Sequence, residues 1–117
     1  MTSERDDHAL LDMLIAARKA TRLVAGFSQD EFNNNEAIHI AATHFIQIVG
    51  EAARKVSRER RSTVTAIPWE KIVGMRHRVV HDYFNVRLPL VWDVVNHELP
   101  RLIDTLETIV PPDEGTV

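Results

Sequence analysis

A chain of 117 residues with 44% hydrophobic and 26% charged residues is one ordinary globular domain, close to the size at which a partner subunit helps. Its lack of cysteine excludes disulfides, thiol nucleophiles and thiolate metal sites, and no apolar run approaches the roughly 20 residues of a membrane span. The net charge of -3 argues against a dedicated nucleic-acid binder, but residues 54 to 87 hold nine Lys/Arg against three acids, a local +6 between acidic ends.

The start, MTSERDDHAL, is polar and acidic where a signal peptide is basic and then apolar, so a cytoplasmic location with no membrane contact is expected. The whole chain, 1–117, reads as a single domain with a short acidic N-terminus and a flexible tail, PPDEGTV, from about 111. The first helix is expected from about Ser3 to Ala25, with Leu10, Leu14, Ala17, Thr21 and Val24 at helical spacing. Gly26 is its natural stop. Ser28 to Glu31 forms a capping box, with a second possible start among Asn33 to Asn35.

From Glu36 to about Val56, a stripe of Ile38, Ala41, Ala42, Phe45, Ile48, Val49, Ala52 and Val56 is wide enough for burial on more than one side. The charged run RKVSRERRS and the pre-proline Ile67 then mark a loop. Trp69 opens a shorter third helix that Asn85 and Leu88-Pro89 interrupt. Pro89 suits the first turn of helix four, whose core face is Val91, Val95, Leu102, Leu106 and Ile109 and which Pro100 should kink. No useful strand pattern is present. The expected fold is all-α, a four-helix bundle.

The third helix carries the densest chemistry, GMRHRVVHDYF. On an ideal helix Arg76 and His81 lie about 140° apart, whereas Arg76 and Tyr83 fall within about 20° of each other. Arg76 and His81 therefore meet only if the helix ends near His81 or if a second copy completes the site. His77 and His81 have the i, i+4 spacing of two zinc ligands, but the HExxH glutamate is absent and Arg76 and Arg78 would repel a dication. His39 and His44, five apart, do not share a face. No serine sits in a GxSxG context, and the four glycines are isolated, so neither a serine nucleophile nor a phosphate loop is read. Metal-free phosphodiester cleavage needs other parts. RNA brings its own 2′-hydroxyl nucleophile; histidine supplies a base, arginine a clamp for the charged phosphorane, and tyrosine a phosphate or base contact. Arg76, His81 and Tyr83 are those three types. A His-Asp-Tyr near a helix end also serves simply to cap and pair, and both readings stay open on residue types alone.

Arg76-x4-His81-x-Tyr83 resembles the R-x(4–6)-H-x-Y signature of HepT-like toxins of the HEPN superfamily. Ile48-Val-Gly-Glu-Ala-Ala53, Ile67-Pro-Trp69, Ile72-Val-Gly-Met-Arg76, Val91-Trp92 and Leu99-Pro100 resemble that family's landmarks in order. The resemblance implies a HEPN-type bundle, a homodimer with a composite cleft, and a metal-independent endoribonuclease that needs no cofactor. It makes Arg76 and His81 the catalytic pair, with His77, Asp82 and Tyr83 in support and Arg78, Arg54, Lys55 and Arg58 as candidate RNA contacts. His77 stands where the family usually places another polar residue, which blurs which imidazole is the base. The resemblance further implies the toxin of a type VII toxin–antitoxin pair, silenced when a nucleotidyltransferase antitoxin transfers AMP to Tyr83. Two alternatives are a non-catalytic nucleotide- or substrate-binding subunit of such a pair and a structural dimer with no ligand.

Overall fold

A computed structural model of the protein describes residues 4–82 and 85–110. Helix α1 (Glu4–Val24) and helix α3 (Glu36–Lys55) form the long pair of the bundle. They run antiparallel: Asp6, near the start of α1, accepts hydrogen bonds from the backbone N–H and the hydroxyl of Ser57, just beyond the end of α3, each at 2.8 Å. Small buried residues (Ala9, Ala16, Ala17 and Ala20 on α1; Ala42, Ala52 and Ala53 on α3) let the two backbones approach closely.

The turn between them follows the sequence. Gly26 takes φ +84°, open to glycine without strain, and ends the first helix. The capping box forms: Ser28 and Glu31 satisfy each other's backbone N–H at 3.1 and 2.8 Å, opening α2 (Gln29–Asn33). Asn35 then caps α3 through Ile38 N–H at 3.2 Å. Phe32 of α2 is fully buried against Trp92 and closes this end of the core.

The run RKVSRERRS departs from the expected loop. Ser57 caps a further short helix, α4 (Arg58–Thr63), by accepting from Arg60 N–H at 3.1 Å. A six-residue helix with no buried side chain has no apolar periodicity to betray it. Ile46 is another correction, because it lies off the stripe read from the sequence yet is fully buried.

The third helix of the bundle is split into α5 (Trp69–Val73) and α6 (Met75–Val79), broken at Gly74. A short antiparallel pair follows, β1 (Val80–Asp82) and β2 (Asn85–Val86), with Val80 opposite Val86, Asp82 opposite Asn85, and an irregularity between. Sequence periodicity does not reveal strands of three and two residues. The last helix begins at α7 (Leu88–Asp93) with Pro89 in its first turn, passes through a π-helical turn (Val94–Glu98), and continues as α8 (Leu99–Ile109). The disturbance expected at Pro100 is this widened turn. Proline cannot donate to the carbonyl four residues back, and Leu99 N–H instead reaches Val94 O, five residues back. Val91, Val94, Val95, Leu99, Leu102 and Leu106 carry the buried face of this helix; the π turn and α8 pack on α1, and α7 packs on α2, α3 and α6. The fold is an all-α bundle bearing one small hairpin, as expected, and no helix among the described residues is long and apolar enough to cross a membrane.

Candidate functional site

Two features of the third helix shape the site. Gly50 on α3 lets the end of α5 come close: a Cβ there would stand 3.3 and 3.4 Å from the carbonyl oxygens of Ile72 and Val73. Then α6 stops at Val79, two residues before His81, and the chain turns into β1. The first of the two conditions for gathering the motif, a helix ending near His81, is therefore met. Arg76 is half-buried and faces α3, whereas His81 is exposed on β1, outside both grooves that Arg76 lines.

Those grooves run along α3. One, of about 560 Å³, lies between α3 and the hairpin, with Ile40, Val80, Val86 and Leu88 on its apolar side and His39, Thr43 and His44 on its α3 rim. The other, of about 360 Å³, continues toward the end of α3 and is lined by Gly50, Glu51, Arg54, Val73 and His77. Gln47 and Arg76 line both and stand where the two meet. Arg76 makes no hydrogen bond or ion pair among the described residues, so its guanidinium is available to a ligand.

Arg78, two residues on, is committed elsewhere. Its guanidinium holds both carboxylate oxygens of Glu98 at 2.7 and 3.1 Å, and Lys71 approaches the same carboxylate at 3.6 Å. The bidentate Arg78 bonds hold the Glu98 carboxyl below the ordinary glutamate range, against the opposing effect of burial. Glu98 closes the π turn, so this pair ties the motif helix α6 to the last helix. Among the other candidate RNA contacts, Arg54 shares the second groove with Arg76 and His77. Lys55 lines a separate groove beside Glu4, Arg5, His8 and Asp12, and Arg58 is exposed at the start of α4. Asp82 is exposed at the end of β1, and Tyr83 lies outside the described residues. Among the described residues no three His, Asp or Glu side chains are arranged so that they could hold a metal ion.

Residue types alone did not single out Gln47, His39 or His44 as neighbours of Arg76. A signal exists: Glu36, Ile40, Thr43, Gln47, Gly50 and Arg54 recur every three or four residues and form one face of α3. Being mostly polar, that face looks like a solvated one until the hairpin is placed over it.

Comparison with known proteins supplies the family. A family model described as "Ribonuclease HepT-like" matches residues 13–109. A protein of Methanocaldococcus jannaschii named "Putative RNase MJ1380" is 31% identical over 92% of this chain and 99% of its own length. A second protein of that organism, "Putative RNase MJ1216", is 31% identical over 96% of this chain and 93% of its own. The "Probable ribonuclease HepT" of Thermococcus cleftensis is 24% identical over 84% of this chain and 93% of its own. No solved structure matches the chain. A match of this extent, on an all-α bundle, places the chain in the HepT-like family of HEPN ribonucleases.

Proposed function

We propose that the protein is a metal-independent endoribonuclease acting on cellular RNA, tRNA or mRNA, and the toxin of a toxin–antitoxin pair. The observation that carries this reading is Arg76: half-buried, unpaired among the described residues, and set at the meeting point of two grooves. An arginine with no carboxylate partner among the described residues is suited to an incoming phosphate, whose oxygens match its fork. In the proposed reaction a histidine takes the proton of the RNA 2′-hydroxyl, the oxygen attacks the adjacent phosphorus, and Arg76 stabilises the added charge of the phosphorane. The 5′-oxygen then leaves with a proton, and a 2′,3′-cyclic phosphate results.

His81 is assigned as that base or acid and His77 as a supporting group. His77 shares a groove with Arg76, while His81 is exposed on β1 and lines neither of the two grooves described. In this reading a second copy of the chain brings its hairpin to Arg76. Tyr83, one residue beyond Asp82, is the proposed acceptor of AMP from a nucleotidyltransferase antitoxin. A bulky anion beside Arg76 would occupy the guanidinium and bar RNA, silencing the site by local electrostatics.

Cleavage of total RNA by purified protein in EDTA tests the reading. Wild type should cut, and Arg76→Ala should lose about 10²-fold or more, the usual scale for removing a transition-state contact. Binding of nucleotide without any cleavage would replace this reading with that of a non-catalytic partner of the nucleotidyltransferase. Coexpression with the antitoxin should add adenylyl mass to the wild type but not to Tyr83→Phe.

A further inference from the structure

We infer that the trough along α3 is a single-nucleotide subsite in which Gln47 selects the base. The ribonuclease reading above gives its substrate class; the geometry gives the rest. The trough is chemically divided. At one end Ile40, Val80, Val86 and Leu88 make an apolar wall, and Ile40 is 58% exposed although it borders the groove. At the other, Arg54, Arg76 and His77 stand against one acid, Glu51. A nucleotide has the same division, a flat apolar-faced base at one end and an anionic phosphate at the other. Volumes of about 560 and 360 Å³ are of the size that holds such ligands.

Gln47 stands at the divide, shared by both halves together with Arg76. Its amide makes no hydrogen bond among the described residues, whereas the neighbouring Thr43 hydroxyl is spent on His39 O at 2.8 Å. A half-exposed, uncommitted amide carries both donors and acceptors, which is what reading a base edge requires. The exposed His44 imidazole on the same rim is placed to stack on the base from the α3 side. The phosphate joined to that nucleoside then falls to Arg76, so selection and cleavage act on one nucleotide. Base preference at the cut position is thus set by α3, not by the motif helix.

Titration of isotopically labelled protein with the four nucleoside 3′-monophosphates, followed by methyl NMR, tests this without requiring turnover. Methyl shifts should concentrate at Ile40, Val80 and Val86, with one base bound about tenfold more tightly than the worst, the scale of a single well-placed hydrogen bond. Gln47→Leu should level that preference, and Gln47→Glu, which replaces donors with acceptors, should reorder it. Both changes are at a half-exposed position, and an unchanged thermal melt would show that the fold is intact. Arg76→Ala should weaken all four nucleotides alike. Shifts confined to other surfaces, or a base preference untouched by both Gln47 variants, would overturn the subsite. If nucleotides bind here as described and RNA is not cut, the ribonuclease reading fails alone. If RNA is cut with a base preference indifferent to Gln47, the subsite fails alone.

Discussion

Arg76 and Arg78 are two residues apart and chemically identical, yet their surroundings divide their work. Arg78 is fixed by both oxygens of Glu98, while Arg76 has no partner among the described residues. Removing Arg76 should therefore abolish cleavage at little cost in stability. Removing Glu98 should do the reverse at first order, since Arg78 loses its acceptor and α6 its tie to the π turn. Glu98→Gln is expected to cost about 2 kcal/mol at neutral pH, the range of charge-assisted bonds that are only partly shielded. The sign with pH follows from the depressed carboxyl. A glutamate whose folded pKa lies below its ordinary value of 4.5 adds stability above that value and loses it as pH falls through the folded pKa. Thermal melts of wild type should thus decline below about pH 4.5, and Glu98→Gln should remove part of that decline. A variant with the full acid slope of wild type would show that the pair does not hold the helix. The Arg78–Glu98 pair was not legible in the sequence, where the two are twenty residues apart with no common helix.

At the scale of elements, the sequence spoke clearly where a residue's own backbone chemistry decides the outcome. Gly26, Ser28 with Glu31, Asn35 and Pro89 each do locally what their type favours, and the limits of α1, α3 and α7 follow from them. It was silent where packing decides. Helix α4 buries nothing, and the strands β1 and β2 are too short to show a period of two. The π turn answers a missing proline N–H that the sequence shows only as a kink. The candidate site was half legible for the same reason: the motif residues declare themselves by type, but the α3 face opposite Arg76 does not. Gly50 links the two levels. Gly50→Ala gains about 1 kcal/mol of helix propensity and loses a similar amount by crowding two backbone carbonyls. The melt should change by only a few degrees, while cleavage falls as α5 and Arg76 are pushed from α3. Full activity in Gly50→Ala would mean that the close approach of α5 serves packing alone.

The whole molecule raises the question of what covers its remaining apolar surface. Leu90 is 38% exposed, and Ile38, Phe45 and Ile48 on α3 are only half-covered by their own chain. A second copy would cover such surface, and light scattering should return about twice the 13.3 kDa chain mass. Mass alone leaves the composite site untested, but subunit mixing reaches it. Within one protomer His81 lies outside the grooves that Arg76 lines. If catalysis joins Arg76 of one copy to His81 of the other, Arg76→Ala and His81→Ala are each inactive as homodimers. Unfolded together and refolded at equal amounts, half of the dimers become mixed, and each mixed dimer carries one intact Arg76–His81 pair. Cleavage should then return to roughly a quarter of the wild-type rate, set by symmetry and random pairing. His77→Ala mixed with Arg76→Ala separates the two imidazoles, since His77 shares its groove with the Arg76 of its own chain. A single-protomer site would give no recovery from the Arg76→Ala and His81→Ala mixture, and the pairing of those two residues across a dimer would have to be abandoned.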